Sequence, residues 1–205
     1  MKIEFVYFDI GGVLVLDFSK TDKWNEMLDD LNVSEKDKPR LSTLFDKKEI
    51  DFCLGKEDVD SFITIMKDDF KLNLPKDYSF LADFANRFEP NPDLGKLVAK
   101  LKRRYKLGLL TNMYPKMLDL ITKKNLLPKV NWDTIVDSSV VGFMKPQREI
   151  YEFATKQAGV LSNNILFVEN SKVHIEEAKK LGWKTFLYDP SNIVGSNTAL
   201  EEFLL

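Results

Sequence analysis

The chain has 205 residues, of which 44% are hydrophobic, and this suits one domain of ordinary size with a sizeable insertion. Its 30 basic and 32 acidic residues give a net charge of -2, which argues against a nucleic-acid-binding protein, because such proteins carry a basic excess. We find no apolar run long enough to cross a membrane and no signal-peptide pattern, and the single cysteine, Cys53, excludes an intrachain disulfide. We therefore expect a cytoplasmic protein with no nucleic-acid and no membrane partner, and its oligomeric state stays open.

The first predicted element is a buried strand at residues 4–8, which is apolar and aromatic and ends at the carboxylate of Asp9. From Val15 to about Asn91 the pattern predicts helices and no further strand. These four predicted helices are residues 21–31, 35–46, 57–70 and 78–88. Short connections between helices favour an antiparallel bundle. We therefore expect residues 17–90 to form a four-helix cap domain, inserted after the first strand as a lid beside the sheet edge.

Strands and helices alternate over the remainder of the chain. The further predicted strands are residues 107–110, 134–136, 165–168 and 185–188, and the predicted helices are residues 93–105, 116–125, 147–158 and 173–181. Such alternation predicts a parallel sheet with right-handed crossovers. The sequence therefore predicts an α/β fold: a parallel Rossmann-like three-layer core, formed by residues 1–16 and 91–205, with the inserted four-helix cap.

Polar residues lie where several of these predicted strands end or where a helix begins. They are Asp9, Thr111, Asn112, Lys145, Glu169 and Asn170. Each has a plainer explanation by itself, as a turn, cap or surface residue. Ligands, however, bind at the carboxyl edge of an open parallel sheet, and the joint order of these residues along one such edge favours a functional site.

The motifs around these positions resemble the haloacid dehalogenase superfamily of hydrolases over essentially the whole chain. Residues 8–14 (Phe-Asp-Ile-Gly-Gly-Val-Leu) are similar to its first motif, 110–112 to its second, 144–146 to its third and 168–171 to its fourth. The helical insertion looks like the small cap that this superfamily places after its first motif. In size and pattern the chain is closest to the compact phosphatases of the superfamily, including a sugar-1-phosphate phosphatase subgroup.

This resemblance implies a Mg²⁺-dependent phosphatase that acts on a small phosphorylated metabolite through an aspartyl-phosphate intermediate. It implies that Asp9 is the nucleophile and that Lys145 is a catalytic cation beside both Asp9 and the phosphoryl group. The implied phosphate-binding residues are Gly11, Gly12, Thr111, Asn112 and Lys145. The implied magnesium ligands are Asp9, the Gly11 carbonyl, Glu169 and Asn170.

Two positions depart from the motifs of the superfamily. Most of its phosphatases carry a second aspartate, the general acid and base, at the position of Gly11. Its loss favours substrates with a good leaving group, such as an anomeric or acyl phosphate. Asn170 stands where a carboxylate is usual, which predicts weaker metal binding. For His174 we expect a structural hydrogen-bonding role.

These departures leave two alternative functions open. A metal-free 2-haloacid dehalogenase also lacks the second aspartate, and Asp9 with Lys145 could attack carbon instead of phosphorus. A degenerate member of the superfamily could bind a ligand or partner without turnover. Glu169 favours the metal-dependent phosphatase.

Overall fold

A five-stranded parallel sheet lies at the centre of the computed structural model, which describes residues 2–205. The strands are β1 (Phe5–Phe8), β2 (Val15–Leu16), β3 (Glu89–Pro90), β4 (Lys106–Thr111), β5 (Thr134–Asp137), β6 (Ile165–Glu169) and β7 (Lys184–Leu187). The parallel sheet has the order β5-β4-β1-β6-β7, and β2 pairs with β3 in a separate antiparallel ribbon. The predicted α/β fold is confirmed, and each of its five predicted strands is present.

The two central strands are buried along their whole length. All four residues of β1 and all five of β6 are inaccessible to solvent or nearly so. Helices cover both faces of a parallel sheet, so its inner strands are continuous apolar runs rather than alternating ones. This is why the sequence pattern predicted them correctly.

The helices flank this sheet and build the insertion. They are α1 (Lys23–Asp30), α2 (Lys38–Cys53), α3 (Phe62–Asp68), α4 (Phe80–Arg87), α5 (Pro92–Leu101), α6 (Met117–Lys123), α7 (Ser138–Val141), α8 (Arg148–Ala158), α9 (Lys172–Lys180) and α10 (Ile193–Leu204). The prediction ended α2 too early, at residue 46. The helix continues to Cys53 and ends where Gly55 adopts a φ of +69°, a conformation that glycine permits without strain.

The two-stranded ribbon joins the insertion to the core and was not predicted. Val15 pairs with Pro90 and Leu16 with Glu89, so the predicted domain boundaries at 16/17 and 90/91 fall on this ribbon. The buried side chain of Asn91 donates to the Val13 carbonyl at 2.9 Å and to the Tyr188 hydroxyl at 2.8 Å. Two-residue strands have no periodicity to read, and for this reason the expectation of helices alone between Val15 and Asn91 was wrong.

The insertion packs around a cluster of aromatic rings that comes from α1, α2, α3 and α4. The ring centroids of Phe80 and Phe84 lie 4.7 Å apart, and Phe45 lies 4.9 Å from Trp24 and 5.3 Å from Phe62. Tyr114, which follows β4 in the core, extends the cluster through a contact of 5.9 Å with Phe84. The cap and the core therefore share apolar packing. Within residues 2–205, no helix has the length and apolar character needed to cross a membrane.

Candidate active site

The carboxyl ends of three neighbouring strands bring the predicted polar residues together. Asp9 follows β1, Thr111 ends β4 and Glu169 ends β6, and the Asp9 N–H donates to the Val168 carbonyl at 2.9 Å. The side chain of Lys145 enters between them from the loop before α8. Asp9 is 6% exposed, Lys145 is 1% exposed and Glu169 is fully buried. Charged groups are this deeply buried only when they are paired.

Lys145 pairs with both carboxylates. Its Nζ lies 2.9 Å from Asp9 Oδ1 and 2.7 Å from Glu169 Oε2. Burial by itself would lower the pKa of the Lys145 ammonium, but the two carboxylates hold that pKa above its ordinary value. One permanent positive charge is thus shared between two negative ones.

Glu169 is the more fully bonded of the two carboxylates. Its Oε1 accepts hydrogen bonds from the backbone N–H groups of Asn170 and Ser171, at 2.8 and 2.9 Å. Its Oε2 accepts a hydrogen bond from Lys145 Nζ and lies 3.1 Å from His174 Nδ1. Burial would raise the pKa of Glu169, but Lys145 and His174 outweigh it and lower that pKa to about 2. A carboxylate has about four lone-pair directions, and here each is used.

Asp9 is bonded on one side only. Its Oδ1 accepts the Ile10 N–H at 2.7 Å and faces Lys145, whereas Oδ2 accepts no hydrogen bond from residues 2–205. Because no fully buried side-chain oxygen in that range lacks a partner, Oδ2 reaches solvent. Burial and the charge of Glu169 raise the pKa of Asp9 to about 7, and Lys145 offsets this only in part. Asp9 therefore has one anchored oxygen and one that is free to react.

The Asn112 amide holds the Lys145 loop in place. Asn112 Nδ2 donates to the Lys145 carbonyl at 2.9 Å, and the Lys145 N–H donates to Asn112 Oδ1 at 2.8 Å. Asn112 was predicted to bind phosphate through its backbone or amide donors, and its side-chain amide is engaged with the protein backbone instead. Thr111 is buried at the end of β4, and its hydroxyl donates a long hydrogen bond of 3.4 Å to the Asn112 carbonyl.

The first motif makes a tight loop over this edge. Gly12 has a φ of +70°, and a Cβ there would overlap the Asn170 amide and lie 2.9 Å from Ser19 Cβ. Gly11 is crowded differently, because a Cβ there would overlap Oδ2 of Asp17. Sequence reasoning missed Asp17, and burial raises the pKa of its carboxyl group. Its only signal in the sequence is that it is the first acidic residue after the motif.

The oxygen atoms around the loop suit a magnesium ion. The Asp9 carboxylate, the Gly11 carbonyl and the Asn170 side-chain oxygen are hard oxygen donors, and Nδ2 of the Asn170 amide lies against the loop at Gly12. No group of three or more His, Cys, Asp or Glu side chains in the described part of the chain is arranged to hold a metal. Mg²⁺ does not need such a cage, since it commonly binds through one or two carboxylates, waters and substrate oxygens. The donor set therefore fits Mg²⁺, although the oxygens of Glu169 are already engaged.

A cavity of about 630 Å³ lies between this loop and the cap. Ile10, Gly11 and Met144, which lie next to Asp9 and Lys145 in the chain, line this cavity. The side chains of Asp9 and Lys145 themselves do not line it. Most of the lining is aromatic or aliphatic. The acidic residues of the lining are Asp17, Asp46 and Glu49, and among the described residues no Lys, Arg or His lines it.

Glu49 ties the cap side of this cavity to the core. Its Oε1 accepts the hydroxyl of Tyr114 at 2.7 Å, and burial raises the pKa of the Glu49 carboxyl. Cys53 also lines the cavity, and burial raises the pKa of its thiol to about 12, which makes it a poor nucleophile.

Comparison with protein families gives a match to haloacid dehalogenase-like hydrolases over residues 3–182. A curated relative, (S)-2-haloacid dehalogenase 4A from Burkholderia cepacia, is 30% identical over 95 residues. That alignment covers 46% of this chain and only 41% of the length of the relative.

Solved structures share the fold. A haloacid dehalogenase family enzyme from Bacteroides thetaiotaomicron, in complex with magnesium and inorganic phosphate, has a TM-score of 0.72 at 18% identity and covers 92% of this chain and 95% of its own. A predicted hydrolase of the same family from Porphyromonas gingivalis has a TM-score of 0.75 at 22% identity and covers 98% of both chains. The L-2-haloacid dehalogenase from Xanthobacter autotrophicus with covalently bound chloropropionic acid has a TM-score of 0.61 at 22% identity, over 91% and 77%. At these identities the likeness is one of fold.

Proposed function

Because the chain belongs to the haloacid dehalogenase-like hydrolase family, we propose that it is a Mg²⁺-dependent phosphatase that acts on a small phosphorylated metabolite. The observation that supports this most is the asymmetry of Asp9, whose Oδ1 is anchored while Oδ2 is open. A related enzyme of the same fold binds magnesium and inorganic phosphate, which is consistent with phosphoryl chemistry at this edge of the sheet.

The residues of the chain have separate tasks in this proposal. Asp9 Oδ2 attacks phosphorus, while the Ile10 N–H and Lys145 fix Oδ1 and so orient the carboxylate. The positive charge of Lys145 lies close enough to attract the phosphoryl oxygens, and Thr111 supplies a hydroxyl donor. Asn112 acts through the backbone by holding the Lys145 loop.

Asp9, the Gly11 carbonyl and the Asn170 amide would hold the metal, and Glu169 acts on the site through Lys145. A bound Mg²⁺ supplies charge neutralisation between the anionic nucleophile and the anionic phosphoryl group. The Ile10 N–H and the Lys145 ammonium orient the Asp9 carboxylate.

The cavity supports a narrower substrate class. A pocket of this size accommodates a small organic leaving group. A second phosphate or a carboxylate on the substrate would face Asp17, Asp46 and Glu49 with no basic residue to pair with. The substrate is therefore a monophosphate whose leaving group is uncharged, such as a sugar monophosphate, rather than a bisphosphate.

The second candidate is a metal-free 2-haloacid dehalogenase. The partial match to the Burkholderia cepacia enzyme and the missing carboxylate at Gly11 favour it. In that reaction Asp9 would attack carbon and displace halide. The full bonding of Glu169 is compatible with a site that binds no metal.

A paired assay separates the two candidates. Purified protein is tested for phosphate release from a panel of monophosphates and bisphosphates with Mg²⁺ or with a chelator, and for chloride release from 2-chloropropionate without metal. Asp9→Asn, which keeps the shape of the side chain, is the blank. We expect Mg²⁺-dependent phosphate release from monophosphates. Metal-independent chloride release would establish the dehalogenase instead, and turnover of neither substrate class would contradict both enzymatic assignments.

A further inference from the structure

The carboxyl group of Asp17 occupies the space next to Gly11 that a side chain would otherwise fill. A Cβ built on Gly11 would lie 3.2 Å from Asp17 Cγ and would overlap Asp17 Oδ2. Position 11 is where the motif of related phosphatases carries its proton-transferring aspartate. The chain thus lacks that residue in the sequence, but the Asp17 carboxyl group lies against the position from which its side chain would extend.

Asp17 is held there by the ribbon between cap and core. It directly follows β2, and its Oδ1 accepts the Ser19 N–H at 2.9 Å. In residues 2–205 no Lys, Arg or His nitrogen pairs with it within 4.0 Å. Its side chain lines the cavity together with Gly11 and Asn112. One oxygen is therefore fixed, and the other lies against Gly11 in a side chain that lines the cavity.

Other acidic or basic side chains near the cavity are placed less well for this task. Glu49 and Asp46 lie on α2 in the cap, and Glu49 already accepts the Tyr114 hydroxyl. His174 Nδ1 contacts Glu169, and His174 does not line the cavity. Of these groups, Asp17 is the one that touches the Gly11 position.

We propose that Asp17 is the catalytic acid and base of this site. The inference rests on the proposed phosphatase function. In the first step the bond from Asp9 Oδ2 to phosphorus forms, the bond to the leaving-group oxygen breaks, and that oxygen takes the Asp17 proton. In the second step a water oxygen bonds to phosphorus and gives a proton to Asp17, the Asp9–phosphorus bond breaks, and inorganic phosphate leaves.

The leaving group provides the first test. Asp17→Asn is compared with the wild type on an alkyl phosphate and on p-nitrophenyl phosphate, whose phenolate leaves without a proton. We expect a loss of about 10²- to 10⁴-fold on the alkyl ester. On the nitrophenyl ester we expect a rapid burst of one p-nitrophenol per protein and then slow turnover. The first step needs no acid for this leaving group, whereas the hydrolysis of the aspartyl-phosphate in the second step still needs the missing base. Asp22→Asn makes the same chemical change at an exposed position nearby and should behave as the wild type.

The second test moves the carboxyl group back to position 11. Gly11 does not have a positive φ, so an aspartate fits its backbone once Asp17 is shortened. We expect Asp17→Ala to be slow and the double variant Gly11→Asp/Asp17→Ala to recover activity on the alkyl ester. Equal losses on both esters without a burst, or no recovery in the double variant, would overturn the role of Asp17 and leave the phosphatase assignment standing. If the wild type releases phosphate from no ester, the assignment fails and the inference fails with it.

Discussion

The candidate active site in the core and the aromatic cluster in the cap, called here the core side and the cap side, bury their side chains by different means. On the core side, which consists of Asp9, Lys145 and Glu169, charged groups are held by directional contacts of 2.7 to 3.1 Å. On the cap side, Trp24, Phe45, Phe80 and Phe84 are held by ring contacts with centroids 4.7 to 6.4 Å apart.

The two sides therefore respond differently to substitution. Removing the shared cation Lys145 from the core side leaves buried carboxylates without compensation, which costs more than the contacts themselves contributed. Removing one ring from the cap side loses apolar area and leaves a cavity, and the cost follows the volume removed. The core side is therefore sensitive to charge and pH, and the cap side to size.

The largest effect is expected for Lys145→Met. Asp9 and Glu169 would face each other in a buried site with no cation, and we expect the free energy of unfolding to fall by about 3 to 5 kcal/mol. Urea denaturation at pH 7 measures this change. A loss below about 1 kcal/mol would mean that Lys145 does not hold the two carboxylates together.

The cap side gives a comparable effect through packing alone. Phe84 is buried against Phe80, Phe45 and Trp24, and Phe84→Ala should lower the free energy of unfolding by about 3 to 5 kcal/mol. Phe203→Ala removes a ring that is 51% exposed and is expected to cost much less. Equal losses in these two variants, measured by urea denaturation, would contradict the packing of the cap cluster.

Asp9→Asn should abolish turnover and yet stabilise the fold at high pH. The pKa of Asp9 is raised from 3.8 to about 7, so its contribution to stability is fully present below about pH 4 and is lost as the pH rises through 7. Asparagine does not titrate. We expect the variant to match the wild type near pH 4 and to exceed it in free energy of unfolding at pH 8, in urea denaturation with a chelator present. A stability difference that is the same at both pH values would show that the pKa is not raised.

The smallest effect is expected for Lys116→Met, which makes the same chemical change as Lys145→Met at the surface. Lys116 pairs with Asp58 of the cap at 2.6 Å, but its side chain is 72% exposed. Solvent screens such a pair, and we expect a loss of about 0.2 to 1 kcal/mol. A loss in free energy of unfolding as large as that of Lys145→Met would show that burial does not set the cost of removing a lysine from an ion pair.

Much of the fold could be predicted because the inner strands are uniformly buried. Phe5–Phe8 and Ile165–Glu169 have to be apolar along their length, and the sequence records this directly. The ribbon and the last helix could not be predicted in this way. Ile193–Leu204 buries Ser196 and exposes Val194 and Phe203, so its pattern is not amphipathic.

The sequence pattern was enough to predict that Asp9, Thr111 and Glu169 would meet, because the carboxyl ends of neighbouring parallel strands share one edge of the sheet. The way in which Lys145 is shared depends on the folded geometry, in which Glu169 is fully bonded and Asp9 keeps one open oxygen. The same geometry places the Asp17 carboxyl against Gly11. Hydrogen bonds form or fail over a few tenths of an ångström, and no spacing along a chain fixes distances that finely.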